Sequence, residues 1–258
     1  MTMRSVLPTL AFSLLLLAPT SAFAALINNS LLNVSGDALV GAVSIAWQCN
    51  QPGDVACPVA GHGDFATTSS TGSFAQYNGT FGLIANINNA AQPLNTPFSL
   101  PNFITFDLNN DISIELRFIP LGTDTVSSTC AGLQHCTPQN NLLITPSNPG
   151  GLSAFNLDQQ GVNTAAVFSI VGTVHQLSSG QTGNLNGVFT SQFANMTPQQ
   201  VLAALGQSNS TYSSNLSLVL TTVPEPGTTA LILGGLLVLA GASRRFPKKR
   251  KSCKEPLR

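Results

Sequence analysis

Four cysteines form the clearest chemical pattern in the chain, and they lie as two close pairs, Cys49 with Cys57 and Cys130 with Cys136. Oxidising compartments favour disulfides, and four cysteines allow three connectivities, of which local pairing is the simplest. The alternative is zinc, with two candidate ligand sets: Cys49, Cys57 and His62, or Cys130, His135 and Cys136. Neither set has the CxxC or HxxxH spacing of known zinc sites, so the pattern favours disulfides and no metal.

Candidate catalytic residues are few. Ser153 lies in Gly151–Phe155, which begins like a nucleophile elbow but lacks the closing glycine and follows a turn instead of a strand. Glu115 is followed two residues later by Arg117, a spacing that predicts a surface ion pair. His175 ends a predicted strand with no carboxylate or nucleophile partner visible in the sequence, so an exposed or hydrogen-bonded structural role is predicted. These patterns predict a protein that is not an enzyme and uses no cofactor.

A calcium-binding loop is the other chemical possibility. Asp107, Asn109 and Asp111 have the spacing of the first ligands of such a loop, but Ile112 and Phe118 stand where Gly and Glu are required. Asn and Asp are also preferred turn residues, so the segment is predicted to be a hairpin turn.

The elements that position these residues are predicted to be mainly strands. Apolar residues alternate from Ile112 to Phe118, and Asn109-Asn110 joins this run to the preceding run 103–108, which predicts a hairpin. Further strands are predicted at 38–48, 80–87, 165–175, 187–193 and 212–220. One helix is predicted over 198–205, because Thr197 and Gln200 have capping-box spacing and Gly206 supplies a stop.

This order of elements predicts the fold class. Many short strands, one small helix and no alternation of strand with helix favour a mainly β body, built as an antiparallel β-sandwich of jelly-roll type. No repeat of solenoid length is present. Disorder is the competing interpretation of the polar composition, but the regular apolar runs argue against it.

The charge distribution divides the chain sharply. Residues 25–222 contain Arg117, no lysine and eight carboxylates, whereas the segment after residue 243 is strongly basic. A body with one cation lacks the basic surface that nucleic acids or anionic lipids require. Asn, Ser, Thr, Gln and Gly supply a neutral hydrogen-bonding surface instead.

The N-terminus has the form of a secretory signal peptide. Arg4 precedes an apolar run from Val6 to Ala18, and Ala22-Phe23-Ala24 resembles a cleavage site. Cleavage between Ala24 and Ala25 is therefore predicted, which leaves residues 25–222 as the exported body.

The C-terminal segment 223–258 has three parts in order. Pro224-Glu225-Pro226 is followed by an uncharged run that predicts a transmembrane helix over 228–243. A basic tail follows: Arg244, Arg245, Lys248, Lys249, Arg250 and Lys251. By the positive-inside rule, this tail is predicted to be cytoplasmic.

This order of motif, helix and basic tail resembles the PEP-CTERM sorting signal of Gram-negative bacteria. The resemblance covers residues 223 to about 250 and implies recognition of Pro224, Glu225 and Pro226 by an exosortase, a membrane-embedded transpeptidase-like enzyme. It implies an inner-membrane precursor whose body reaches the envelope exterior. The alternative is an ordinary C-terminal anchor after a Pro-rich linker.

Three functional classes follow from these observations. The first is a structural or adhesive envelope protein associated with exopolysaccharide or biofilm matrix, as the resemblance implies. The second is a carbohydrate-binding module, although the body offers only Trp47, Tyr77 and Tyr212 for stacking on sugars. The third is an envelope hydrolase, for which no paired-carboxylate or Ser/His motif is visible.

Overall fold

The computed structural model describes residues 26–41, 43–50, 57, 59–205 and 211–222. These residues form thirteen strands: β1 Leu31–Val40, β2 Ser44–Trp47, β3 His62–Thr67, β4 Phe81–Ala85, β5 Ile87–Asn88, β6 Leu100–Phe106, β7 Ile112–Phe118, β8 Val126–Ser127, β9 His135–Pro138, β10 Asn156–Gln160, β11 Asn163–Gln176, β12 Gln181–Phe193 and β13 Thr211–Thr222. Helix α1 spans Pro198–Leu205, and short 3-10 turns lie at Gly72–Tyr77 and Asn141–Leu143. The predicted signal peptide and the predicted domain 223–258 lie outside the described residues.

Eight of the strands close into an antiparallel barrel. The order of strands around the ring is the order in the chain: β1, β3, β4, β6, β7, β11, β12 and β13. Each strand pairs with the next one in this series. The ring closes where β13 pairs with β1, from Val219 opposite Leu31 to Thr211 opposite Leu39. The predicted β-sandwich of jelly-roll type is therefore wrong, whereas the mainly β class with one short helix is confirmed.

Strand length and interior glycines explain why one sheet closes on itself. β11 and β12 run for 14 and 13 residues, longer than the usual globular strand. Gly82 of β4 lies where an added Cβ would be 2.2 Å from the Thr105 carbonyl oxygen. Gly187 of β12 lies where an added Cβ would be 2.2 Å from Leu218 Cδ2. Such close approaches allow the tight coiling that a closed ring needs.

Side chains fill the barrel interior, as expected for a ring of eight strands. Every second residue of β1 is buried, from Leu32 to Val40. Near one end Tyr77 stacks on Phe106 with ring centroids 3.8 Å apart. Towards the other end Phe189 contacts both Phe168 and Trp47, at 4.8 Å and 5.7 Å. The described interior is thus a packed core of aliphatic and aromatic side chains.

The two ends of the barrel differ, and we name them by what they carry. The exit end holds residues 26–30, the connections 68–80, 107–111 and 177–180, and Thr222, where the described chain ends. The insertion end holds the elements outside the ring: β2 and β5 beside β1, the β8, β9 and β10 strands beside β11, and helix α1.

Local predictions agree well with the structure. Helix α1 spans the predicted residues, and Thr197 and Gln200 form a reciprocal cap: the Thr197 N–H donates to Gln200 Oε1 at 2.8 Å, and the Gln200 N–H to Thr197 Oγ1 at 3.4 Å. The predicted hairpin is formed by β6 and β7, with Ile104 opposite Ile114.

Strand boundaries agree less well. The predicted strand 38–48 is divided between β1 and β2, because a turn closed by the Gly41 N–H and the Ser44 carbonyl interrupts it. The predicted strand 80–87 covers β4 and the first residue of β5, and the sequence pattern does not predict β3 or the three short strands β8 to β10. These strands lack a long alternating run, so their pairing depends on distant neighbours.

Candidate functional site

The predicted sorting residues lie outside the described structure. They are Pro224, Glu225, Pro226, Arg244, Arg245, Lys248, Lys249, Arg250 and Lys251. The predicted cleavage residues Ala24 and Ala25 also lie outside it. The chemistry that the structure positions is therefore that of the barrel and its two ends.

Both cysteine pairs form local disulfides at the insertion end. The Cα atoms of Cys49 and Cys57 are 5.6 Å apart, and those of Cys130 and Cys136 are 5.7 Å apart. Because the sulfurs are bonded to one another, neither zinc set retains thiolate ligands. The second bridge ties the loop before β9 to β9 itself.

A cluster of three titratable side chains lies beside the Cys130–Cys136 bridge. His135 of β9 lies opposite Asp158 of β10, and the His135 Nδ1 atom is 2.9 Å from Asp158 Oδ1. Asp124 approaches from the preceding loop, where its backbone N–H donates to Thr137 Oγ1 at 2.8 Å. We call Asp124, His135 and Asp158 the acid–imidazole cluster.

The electrostatics of this cluster favour bound protons. Partial burial raises the pKa of the Asp124 carboxyl, and the adjacent Asp158 raises that pKa further through its charge and a hydrogen bond. The hydrogen bond to Asp158 is the main cause of the raised pKa of His135. Both groups therefore hold their protons to a higher pH in the folded chain than in the unfolded one.

This arrangement can exchange protons with solvent, but it does not resemble a developed active site. The His135 side chain is 64% exposed, and no nucleophile is among its hydrogen-bond partners in the described structure. None of the three cluster residues lines either of the two open clefts, one at the insertion end and one on β4, β6 and β7. Sequence reasoning misses this cluster because the β9–β10 register, not sequence proximity, brings it together.

A second polar group lies on the outer face of β7 and β11. Glu115 Oε2 is 3.3 Å from both Arg117 Nη1 and His175 Nε2. The predicted Glu115–Arg117 ion pair is confirmed, and His175 has the predicted hydrogen-bonded role. Its carboxylate partner is not visible in the sequence because the pairing of β7 with β11 brings the two residues together. A hydrogen bond from Ser99 is the main cause of the lowered pKa of Glu115. The serine thus contacts the carboxylate, not the imidazole, which is not the order of a catalytic triad.

The Asp107–Asp111 segment forms the predicted hairpin turn at the exit end. The Asp111 N–H donates to Asn109 Oδ1 at 3.0 Å, as in an Asx turn. The Asp111 carboxylate accepts hydrogen bonds from Gln176 Nε2 at 3.0 Å and from the Ser178 N–H at 2.7 Å. The bond from Gln176 is the main cause of the lowered pKa of Asp111. This carboxylate therefore joins two turns of the barrel.

Ser153 lies in an irregular connection, not at a nucleophile elbow. Its side chain is buried, and its Oγ accepts a hydrogen bond from the Phe155 N–H at 3.1 Å. The nearby backbone is organised by Asn148, whose buried amide donates to the carbonyls of Leu143 and Leu152 and accepts from the Leu152 N–H. The serine thus belongs to a rigid loop.

Two open clefts could admit a ligand. A cleft of about 370 Å³ lies at the insertion end, where Asn88, Asn89 and Thr145 supply polar groups and Leu94 and Leu142 supply apolar walls. A depression of about 410 Å³ lies on β4, β6 and β7 towards the exit end. A smaller pocket of about 10 Å³, lined by Phe155, Phe168 and residues of β2 and β5, has room for one water molecule at most.

Among the residues that the structure describes, no group of three or more His, Cys, Asp or Glu side chains is arranged to hold a metal ion. No helix within the described ranges is long and apolar enough to cross a membrane. The transmembrane helix predicted over 228–243 lies outside those ranges.

Comparison with known proteins identifies one segment of the chain. Residues 222–249 match the family described as the PEP-CTERM protein-sorting motif. No curated protein and no solved structure matches the chain. The chain therefore carries a PEP-CTERM sorting signal at the position where Pro224, Glu225, Pro226 and the first basic residues lie.

Proposed function

We propose that the chain is an exported cell-surface protein of a Gram-negative bacterium, anchored in the inner membrane by its C-terminal segment until an exosortase processes it. The match of residues 222–249 to the PEP-CTERM sorting motif is the observation that carries the proposal. The body then acts without catalysis, as a structural or adhesive component associated with exopolysaccharide or biofilm matrix.

The surface of the barrel fits a matrix component. Outward residues of β12 include Thr182, Asn184, Asn186, Val188 and Gln192, all exposed and all uncharged. Ser217 of β13 donates to Asn33 Oδ1 of β1 at 2.8 Å, which continues the hydroxyl and amide pattern across the sheet. Such a face offers many hydrogen-bonding groups to a neutral polymer without ionic selectivity.

A carbohydrate-binding module is the second candidate. The cleft at the insertion end supports it, because Asn88, Asn89 and Thr145 supply amide and hydroxyl groups beside apolar walls. The side chains of Trp47 and Tyr77 are fully enclosed in the core, so neither can stack on a sugar. A glycan array separates this candidate from the first, since a dedicated module should prefer one glycan while a matrix component should not.

An envelope hydrolase is the third candidate, and within the described residues the acid–imidazole cluster is the group that could supply acid–base chemistry. Replacing Asp158 with Asn would abolish a hydrolytic activity that depends on that cluster. If the protein is not catalytic, neither the wild type nor the Asp158→Asn variant would turn over polysaccharide or peptide substrates.

The sorting hypothesis is tested by paired double substitutions. In a host with an exosortase, Pro224→Ala with Glu225→Ala should leave a full-length precursor in the inner membrane. The matched control is Glu255→Ala with Pro256→Ala, which changes the same residue types outside the matched segment. Normal processing of the control and loss of processing in the motif variant support the proposal. If the motif variant and the control variant were processed equally, the C-terminal segment would be an ordinary membrane anchor and not a sorting signal.

A further inference from the structure

The exit end of the barrel carries three exposed large apolar side chains. Ile27, Leu108 and Leu177 are 56%, 66% and 67% exposed. Leu108 lies in the β6–β7 turn, Leu177 in the β11–β12 turn, and Ile27 in the segment that leads into β1. We call these three residues the exit-end patch.

Hydrogen bonds connect the three segments at this end of the barrel. The Leu177 N–H donates to the Asp111 carbonyl at 2.7 Å, which connects the two turns. The Leu26 N–H donates to Gln181 Oε1 at 2.8 Å, immediately after the β11–β12 turn. The Tyr77 hydroxyl donates to the Asn109 carbonyl at 3.3 Å. The patch is therefore held on a fixed scaffold and needs no rearrangement to meet a partner.

The chain leaves the barrel at this same end. In the antiparallel ring, β13 ends where β1 begins, and the Asn29 N–H donates to the Leu220 carbonyl at 2.9 Å. Only residues 223–227 separate Thr222 from the uncharged run that begins at Thr228. A chain of that length reaches at most about 20 Å when fully extended. A membrane anchor at that run would thus keep the exit end close to a bilayer.

We propose that the exit-end patch rests on the lipid bilayer while the protein is membrane-anchored. The inference depends on the proposed function, because it requires the anchored precursor. Three apolar side chains would bind lipid weakly in a free protein, but tethering makes the contact intramolecular and raises the effective concentration of the surface. The contact fixes the orientation of the barrel, so that the insertion end points away from the membrane.

The charges at the exit end determine which lipid headgroup the patch should prefer. Its turns carry the carboxylates of Asp107 and Asp111, and within the described residues the one Lys or Arg side chain, Arg117, lies towards the opposite end of β7. An anionic surface would repel these carboxylates, so a zwitterionic headgroup is the expected partner. Phosphatidylcholine vesicles should therefore be bound better than vesicles containing phosphatidylglycerol.

Hydrogen exchange of the full chain in phosphatidylcholine vesicles tests the proposal. The test variant carries Ile27→Ser, Leu108→Ser and Leu177→Ser. The control carries Leu142→Ser and Ile144→Ser, which removes apolar side chains of 78% and 54% exposure from the insertion end. Exchange in 107–111 and 177–180 should be slower by about threefold or more in the wild type and control than in the test variant. Phosphatidylglycerol should reduce that difference.

Each other outcome has a defined meaning. If the wild-type chain inserts into vesicles but its exit-end turns exchange as fast as those of the test variant, the inference is overturned and the proposed function stands. A wild-type chain that does not associate with vesicles contradicts the anchor, and both proposals fall. Protection that appears without lipid and grows with protein concentration would assign the patch to a second copy of the chain.

Discussion

The two ends of the barrel share eight strands but use them differently. At the exit end, three of the ring connections are the segments 68–80, 107–111 and 177–180, joined by hydrogen bonds such as that between Leu177 and Asp111. At the insertion end, the connections contain five extra strands, helix α1 and both disulfides. The barrel thus provides a fixed frame, and the elements outside the ring lie at the end away from the chain's exit.

The two ends also differ in how they hold protons. At the insertion end, the pKa values of Asp124 and His135 are raised. At the exit end, the pKa of Asp111 is lowered. The same change in pH should therefore stabilise one end and destabilise the other, which makes the comparison testable in solution.

The largest effect on stability should come from a substitution in the eight-stranded barrel, which both ends share. In Gly82→Ala, the added Cβ would lie 2.2 Å from the Thr105 carbonyl oxygen and 2.6 Å from Phe65 Cζ, so the wall of the barrel must shift. We expect the free energy of unfolding to fall by about 3 kcal/mol, at the upper end of overpacking costs. Denaturant unfolding measures the change, and hydrogen exchange should accelerate at both ends.

The control for this substitution is Gly150→Ala. There the nearest atom to an added Cβ is Leu152 Cγ at 3.6 Å, an ordinary contact. Its unfolding free energy should change by less than about 0.5 kcal/mol. If both variants were equally stable, Gly82 would not be needed for the close approach of β4 and β6.

A smaller effect should be confined to the insertion end. Cys130→Ala with Cys136→Ala removes a bridge that closes a short loop, which the chain-entropy model values at about 2 kcal/mol. Exchange should accelerate in 124–138 and remain unchanged in 107–111 and 177–180. Equal acceleration at the exit end would show that the two ends unfold together and would remove the distinction between them.

The smallest effects concern pH. Asp124 and His135 have raised pKa values in the folded chain, so their stabilisation is complete at acid pH and is lost as the pH rises through those values. Asp111 has a lowered pKa, so its stabilisation is present above the unfolded value and is lost as the pH falls towards acid. The Asp111 contribution should be under about 1 kcal/mol, because the group is only partly buried and solvent screens its interactions.

Local hydrogen exchange between pH 3 and pH 8 separates these responses. After correction for the intrinsic rate, the segment 124–138 should open least at acid pH, and the turn 107–111 should open more as the pH falls below about 4. Asp111→Asn should remove only the increased opening of 107–111 at low pH. Asp158→Asn should remove only the pH dependence of 124–138. A common pH profile for both ends would contradict the assignment.

The features that could be predicted from the sequence depend on neighbouring residues. The Thr197 and Gln200 cap and the Asn109-Asn110 turn act within a few residues, and helix α1 and the β6–β7 hairpin follow from them. Closure of the barrel depends on pairing Leu31 with Val219, residues far apart in the chain, which alternation alone cannot specify. This long-range register separates a barrel from the predicted sandwich.

Features of the candidate site could likewise be predicted where they depend on nearby residues, but not where they depend on long-range strand pairing. The short spacing within each cysteine pair predicts the local disulfides, whereas the acid–imidazole cluster depends on the register that places His135 opposite Asp158. His175 likewise meets Glu115 only because β7 pairs with β11. The sorting motif is contiguous, so it could be identified directly from Pro224, Glu225 and Pro226.

Peptide mapping of the exported protein tests the central claim most directly. The claim is that residues 222–249 direct removal of the C-terminal segment by an exosortase. Mass spectrometry of the surface fraction from an exosortase-bearing host should find an N-terminus at Ala25 and no peptides from the tail 244–258. A matched host without the exosortase should retain those tail peptides in the inner membrane. Tail peptides in the surface fraction of both hosts would contradict the claim.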